Sequence, residues 1–438
     1  MSAPSPKPSL HSEGSELIYG FDELIYSRTD PRGVIVSGND VFERLSGVPW
    51  RELIGSPHRV IRHPEMPKGF FHLFWSMLKS GEPAVGYVRN RNVNSGYYWV
   101  LAAAIPCEGG YFSVRMRPST DLFATMRGIY ADLVAGERNE GLSPEASSQR
   151  LLDRLAQLGH ADYHAFAAHA LALEIRARDR ALRRPPDAQT EALDSLLALL
   201  HEALAEQSRL VAQFGDLVLL PVNMRLVAAR LEPQGGPISQ ISVNYKLASE
   251  EIARRLSGIV SGKGNICGRM AVAVRHSLIL TACARLQGEL AQNSNRTNNG
   301  YTGEERRIEL QKLTDVMRSS LGRAQAALRE AETLAAQLNE ASVDLRRMIL
   351  GLDTIRILAR VESRKSAESQ AALTATIDRI DEVQGSISET LKRLMEQTFA
   401  ITAGLASLRR GSSAAAAEAL AEVDAAEAGS EPQVYAAQ

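Results

Sequence analysis

The sequence predicts an α+β front domain, an antiparallel sheet with flanking helices, followed by a long all-α region of helical bundle or antiparallel coiled-coil hairpins. Three observations carry that expectation. Two segments of alternating apolar and polar residues, Tyr87–Arg91 and Tyr97–Ala104, flank a turn at Asn92–Gly96; alternation over so few residues is the period of a half-buried strand. Only 5% of the 438 residues are aromatic, and most of these precede residue 170, so the front holds the compact globular part. Beyond Asp121, apolar residues recur at three- and four-residue steps in a background rich in Ala, Leu, Arg and Glu, the pattern of amphipathic helix.

Residues 1–15 are rich in Pro and Ser and are expected to lack fixed structure. The front domain spans 16–120. Glu16–Tyr26 pairs or packs as a cap; Ser27–Val36 reads as strand, turn and strand around Asp30-Pro31-Arg32-Gly33, residues that favour a tight turn. Asp40–Ser46 and Pro49–Leu53 are short helices. Lys68–Ser80 is a longer one, with Phe71, Phe74, Trp75 and Leu78 at helical spacing. The hairpin follows, its turn Asn94-Ser95-Gly96 tolerating positive φ. Gly109-Gly110 turns into a last strand, Tyr111–Met116.

Residues 121–186 form a helical connector. Leu122, Met126, Ile129, Tyr130 and Leu133 mark its first helix, expected to stop at Ala135-Gly136, with a polar linker over 137–147. Leu151–Leu182 follows with a break at Gly159, then Pro185-Pro186 stops the chain from continuing as helix. Residues 187–295 read as one helical hairpin, turning at Glu232–Pro237 and weakened at Gly262-Lys263-Gly264. Residues 301–410 read as a second, launched by the capping box Thr302-Gly303-Glu304-Glu305. The tail 411–438 carries many Ala and acidic residues and is expected to be disordered. Leu220–Glu232 aligns with Leu350–Glu362, which suggests a duplicated hairpin.

A net charge of −1 gives no overall pull towards nucleic acid or anionic lipid. Cys107, Cys267 and Cys283 are too scattered for a disulfide framework or a zinc site. No apolar run is expected to approach the ~20 residues of a membrane helix, and no signal peptide opens the chain, so a soluble cytoplasmic protein is expected. No P-loop, nucleophile elbow or zinc signature is present; the expectation is a non-enzyme.

The stretch from about Ser27 to Arg138 resembles the PAS domain of the aerotaxis receptor family. Thr29-Asp30, Asn39, Phe42, Ser46-Gly47, Glu52-Leu53, Gly55, Pro57-His58, Arg62-His63-Pro64, Met66-Pro67, Trp75, Gly81-Glu82-Pro83, Gly86, Asn90-Arg91, Tyr98-Trp99-Val100 and Arg115 carry the likeness. It departs at Glu65, where the family has Asp, and at Ala84, where it has Trp. The resemblance implies a small sensor barrel that holds FAD and reads redox, oxygen or energy state. It places Arg62 against a pyrophosphate, since a guanidinium grips phosphate bidentately. His63 and Asn90 would fix ring or ribose, and Glu65, Trp75, Phe71, His58, Asn39 and Tyr98 would complete the site. Haem at His160, His164 and His169 is the less favoured cofactor; those residues read as plain helical positions.

Asn223, Ala228, Ala229, Arg230, Gln234 and Gly235 match the hairpin tip of methyl-accepting chemotaxis receptors, but Val227 stands where that tip has glutamate, and Gly236-Pro237 alter the turn. The resemblance implies a homodimer or a mixed assembly with chemoreceptors, and contact with a chemotaxis kinase and its coupling protein; the net charge and the expected lack of a membrane-length apolar run argue instead for no nucleic acid and no membrane insertion. The rival reading is a cofactor-free PAS scaffold with no direct kinase control.

Overall fold

The structure, a computed structural model, describes residues 14–94, 96–231, 236–260, 265–294, 303–365 and 367–428. The turn at 232–235, the Gly-Lys-Gly weak point, the Asn-rich loop before 301, the cap residue Thr302 and residues 1–13 lie outside them. The described chain divides into two compact bodies: one of 1–191, 275–324 and 412–438, the other of 192–274 and 325–411.

The first body is built on a sheet of β1 (Ser15–Glu16), β2 (Ile25–Thr29), β3 (Ile35–Gly38), β4 (Ala84–Asn92), β5 (Gly96–Cys107) and β6 (Gly110–Met116). The antiparallel order is β4-β5-β6-β2-β3, and β1 adds a short parallel pairing at the start of β5. Between β3 and β4 run α1 (Asp40–Ser46), α2 (Trp50–Leu53), a 3-10 turn at His58–Ile61 and α3 (Lys68–Lys79).

Local chemistry fixes these elements. Asn39 caps α1 by accepting from the Phe42 amide, and Gly47, at φ 69°, ends it in the left-handed region. The Asp30 carboxylate accepts from the Arg32 and Val34 amides at 2.8 and 2.9 Å and closes the β2–β3 turn. α3 starts after Pro67 with no cap of its own. Its first amides, Lys68 and Gly69, donate instead to the Glu137 carboxylate at 2.9 and 3.0 Å.

Glu137 belongs to α4 (Asp121–Asn139), which leaves the sheet after β6. The helix passes the expected stop at Gly136. A side chain at Gly136 would meet Arg150 and Leu142 at 2.7 and 2.8 Å, so this glycine allows close packing; Gly141, at φ 69°, lies beyond the true end. α5 (Pro144–Gln157) follows after a short break, in place of the longer expected linker. Gly159, at φ 89°, separates it from α6 (Tyr163–Ala181). α4 and α6 cover the outer face of the sheet: Trp99 packs on Phe123 and Tyr130, and Tyr87 on Phe123 and Phe166. Glu174 of α6, fully buried, accepts from the Tyr87 hydroxyl at 3.1 Å, the Ser119 amide at 2.7 Å and the Thr120 amide and hydroxyl at 3.2 and 2.7 Å. It thereby pins the start of α4 to β4.

The remaining helices are α7 (Ala188–Leu231), α8 (Pro237–Val260), α9 (Ile266–Ser294), α10 (Gly303–Ser363) and α11 (Ala367–Ala428). In the second body, buried positions on α11 run Leu373, Ile377, Ile380, Gln384, Ile387, Leu391, Leu394, Thr398, Ile401, Leu405 and Leu408. Steps of four and three repeated this far are a coiled-coil seam. α10 repeats the pattern at Leu338, Ser342, Leu345, Ile349 and Leu352. The proposed duplication does not extend to faces. Where it aligns Ala229 with Ala359, the first is exposed and the second buried; where it aligns Ala228 with Leu358, the order reverses.

Two further expectations are corrected. α11 continues as helix to Ala428, past Gly411, because Ala has the highest intrinsic helix propensity and needs no partner to favour helix. Ala188–Arg230 and Ile266–Asn293 each carry an 18-residue window of mean hydropathy 1.4 and 1.3, so two helices are long and apolar enough to cross a membrane by length and composition. The window in α9 is 72% buried inside the protein, as in a core helix, and that in α7 is 28% buried.

Candidate functional site

A cavity of about 350 Å³ lies between the inner face of the sheet and α3. β2 supplies Ser27 and Thr29, β4 Val88 and Asn90, β5 Ala102 and Ala104, and β6 Tyr111, Ser113 and Arg115. These residues alternate along each strand, as side chains on one face must. α3 supplies an aromatic wall of Phe71, Phe74 and Trp75, extended by Leu78, and the segment before it brings His58, Arg59 and Arg62. Gly33, at φ 77°, sits where a Cβ would come within 3.0 Å of the Trp75 ring.

The Arg62 turn is fixed to β4 by an isolated bridge with Asn90 and by the His63 amide donating to the Arg89 carbonyl. The Arg62 guanidinium lies 3.4 Å from the Phe71 ring centre, a cation–π contact. Arg115 is 4% exposed. Its Nη2 donates to the Ser27 hydroxyl at 2.8 Å and meets His58 Nε2 at 2.7 Å.

The electrostatics are one-sided. No Asp or Glu is among the residues lining the cavity. Arg115 Nη1 and Arg62 Nε are buried without a hydrogen-bond partner among the described residues. Burial pulls both guanidinium groups down to about 10, with Arg59 adding to the effect on Arg62. Burial, then the charges of Arg115 and Arg62, hold His58 well below its ordinary value, so its neutral ring accepts from Arg115. Unpartnered buried donors are costly, and two cations with no carboxylate call for an anion.

The structure separates the expected site residues into two groups. Arg62, His58, Phe71, Trp75 and Asn90 line the cavity. His63, Glu65, Asn39 and Tyr98 are not among its lining residues. His63 and Glu65 join Arg89 and Tyr97: Glu65 pairs with Arg89 at 2.6 Å, Arg89 stacks 3.7 Å from the Tyr97 ring, and the His63 and Tyr97 rings are 5.7 Å apart. Arg89 must face away because its neighbours Val88 and Asn90 face in. Asn39 is occupied as the α1 cap and also donates to the Leu24 carbonyl at 2.8 Å. Tyr98 is fully buried opposite Asn90 in the β4–β5 ladder. Arg115, Ser27, Thr29, Ser113 and Tyr111 are additions. The signal was present: Tyr111, Ser113 and Arg115 alternate with Phe112, Val114 and Met116, so one face of β6 is polar although Ser113 and Arg115 are buried.

Residues 35–110 match the family model described as PAS fold. The front of the chain is a PAS domain. It is similar to that of the aerotaxis receptor of Escherichia coli (strain K12), at 41% identity over 124 residues, 27% of this chain. The chain matches only 24% of that receptor's length. Solved structures similar to the PAS domain include the blue-light photoreceptor Aureochrome1 LOV in its light state (21% identity, 26% of this chain and 91% of that one, TM-score 0.21). An RNA-binding light-oxygen-voltage receptor matches at 16% identity over 31% of this chain and 34% of its own, TM-score 0.20. A fungal LOV domain photoreceptor matches at 17% identity over 27% and 84%, TM-score 0.20.

The three histidines of the connector do not gather a metal site. His160 and His169 have ring centres 5.3 Å apart, but no group of three or more His, Cys, Asp or Glu able to hold a metal occurs among the described residues.

The PAS domain should lose stability below neutral pH. His58 is held well below 6.5, and burial together with Arg89 brings His63 to about 4. The unfolded chain takes up these protons near pH 6.5, while the folded protein refuses them until lower pH. Stability is therefore full above 6.5 and falls as the pH drops towards the folded values. The urea midpoint should decline between pH 6.5 and about 5, and less steeply in His63→Gln; a flat midpoint over that window would contradict two imidazoles held neutral in the fold.

Proposed function

We propose that the PAS cavity holds a flavin, FAD, and that the protein is a soluble cytoplasmic signal transducer reporting redox, oxygen or energy state through protein contacts. One observation carries the reading: an aromatic-walled cavity with the buried guanidinium of Arg115 and the half-buried one of Arg62, each with a buried N–H that has no hydrogen-bond partner among the described residues, and no carboxylate among its lining residues. A planar, negatively charged molecule meets both needs.

When bound, a flavin supplies reversible electron transfer. The chain's own residues do the rest. Phe71, Phe74 and Trp75 offer faces and edges for a flat ring. Arg62, beside the exposed Arg59 and Arg32, suits phosphate. Arg115, held by Ser27 and His58, suits a carbonyl edge. Asn90 Nδ2, opposite Tyr98 in the ladder, is buried with no close hydrogen-bond partner among the described residues, a donor for the same ring. The likeness to the aerotaxis receptor supports the assignment of signal class.

Partners follow from the helices. Val211, Leu219, Val222 and Leu226 are exposed along α7, a stripe that a second copy or a mixed assembly with chemoreceptors would cover. A chemotaxis kinase and its coupling protein are the proposed readers, with weak activation expected because Val227 replaces the tip glutamate. Free cysteines, two of them buried, suit a reducing compartment.

The phosphate assignment has a direct test. Cofactor-free protein should bind FAD and FMN at least about tenfold more tightly than riboflavin, since losing a charge-assisted contact costs roughly 1.5–3 kcal/mol. Equal affinity for riboflavin would show that the arginines do not read phosphate.

A further inference from the structure

β2 faces the cavity with alternate residues and grips a distant helix with the residues between them. Ser27 and Thr29 line the cavity. Tyr26 and Arg28, pointing the other way, both bind Glu309 in the second turn of α10: the Tyr26 hydroxyl donates to Oε2 at 2.6 Å, Arg28 Nε donates to Oε2 at 3.2 Å, and Arg28 pairs with Oε1. Glu309 is largely buried; desolvation would raise its pKa, but Arg28 and Tyr26 outweigh this and hold it lowered.

The same helix has a second hold on the cavity. Arg323 Nη2 donates to the Gly81 carbonyl at 3.1 Å and lies 3.4 Å from His276 Nε2, and His276 Nδ1 is 3.1 Å from Glu82. Gly81 and Glu82 follow Ser80, the C-cap of α3, whose Trp75 and Leu78 form the wall opposite β2. Glu309 and Arg323 are fourteen residues apart, about 21 Å along the axis at 1.5 Å per residue, and lie near one face of the helix because four turns need 14.4 residues. Both contacts fall within the first body.

We propose that the opening turns of α10 act as a bar across two walls of the cavity and read its occupancy, with Glu309 as the handle on the sheet and Arg323 as the handle on α3. This rests on the cavity being the ligand site. A group that engages Arg115 acts on Ser27, and through β2 on Tyr26 and Arg28. A ring that displaces α3 acts on Gly81. A stiff helix tied to both cannot stay indifferent if their separation changes: the Glu309 tie is a part-buried ion pair and the Arg323 tie an exposed charge-assisted hydrogen bond.

Hydrogen exchange of the full chain, followed over residues 303–324, tests this. FAD should change exchange there by about tenfold in the wild type, the scale of one charge-assisted contact, and should leave it nearly unchanged in Glu309→Gln, whose own FAD binding is measured alongside. A second arm needs no flavin. Ser27→Ala, and more strongly Arg115→Gln, should alter exchange over 303–324 in the wild-type background and not in Glu309→Gln. If FAD fails to bind, the flavin reading falls and the second arm alone decides. The bar is overturned if FAD binds without changing 303–324, or if the cavity substitutions act equally with and without Glu309.

Discussion

Arg115→Gln should weaken FAD binding by at least about tenfold without destabilising the cofactor-free protein. The two effects separate because Arg115 is a cost in the empty domain. It is 4% exposed, its Nη1 has no hydrogen-bond partner among the described residues, and burial depresses its pKa to about 10. A buried charge without a counter-charge destabilises the fold. Glutamine keeps a donor for Ser27 and removes the charge, so the apo midpoint should hold or rise. The bound state loses a charge-assisted contact of roughly 1.5–3 kcal/mol, and 1.4 kcal/mol is about tenfold. Arg62→Ala should lose a similar factor, while the apo protein also loses the Phe71 stack. Calorimetric titration with FAD beside thermal unfolding of the apo form checks both. Unchanged affinity with a lowered apo midpoint would make Arg115 a structural residue only.

Glu174→Ala should destabilise the PAS domain by about 3–5 kcal/mol. The carboxylate is fully buried and takes four hydrogen bonds, from Tyr87, the Ser119 amide and both donors of Thr120. Removing it strands those donors and frees the first turn of α4. Each buried donor left unmet costs about 1–3 kcal/mol, less what water entering the gap restores. Glu174→Gln keeps an acceptor oxygen and should cost less. Chemical denaturation followed by Trp99 fluorescence, in a background with the other two tryptophans replaced, reports on the contact of Trp99 with Phe123 of α4 directly. A loss below about 1 kcal/mol would mean that the network is dispensable and that α4 is held by its apolar face alone.

The alternation of β4 and β5, the turn between them and the aromatic face of α3 were legible because each is a local pattern that tertiary context reinforced. So were the coiled-coil seams of α10 and α11, where steps of three and four run unbroken. Gly136 misled because a glycine can serve close packing as readily as a helix stop, and Arg150 and Leu142, which press on it, lie in later segments. The tail past Gly411 misled because low hydrophobicity was weighed above the helix propensity of Ala.

Among the expected site residues, Arg62, His58, Phe71, Trp75 and Asn90 line the cavity because the turn before α3, α3 itself and β4 bound it. His63 and Glu65 were misplaced with respect to the cavity: one residue of offset sends a side chain to the other side of β4, where Arg89 waits. Asn39 precedes a helix beginning Asp-Val-Phe, and its capping role was readable from that position alone. Arg115 was passed over as a landmark of the family. Its meaning depends on Ser27 and His58 arriving from 88 and 57 residues away, which no local pattern encodes. Ala84, in place of the family's Trp, is fully buried at the start of β4 opposite Ala104.

The visible absorption spectrum of the purified full-length protein, followed by heat release and mass analysis of whatever it carries, tests the central claim most directly. The account predicts a yellow protein with a flavin spectrum, releasing FAD in an amount approaching one per chain. A colourless protein that takes up neither FAD nor FMN on titration would contradict it.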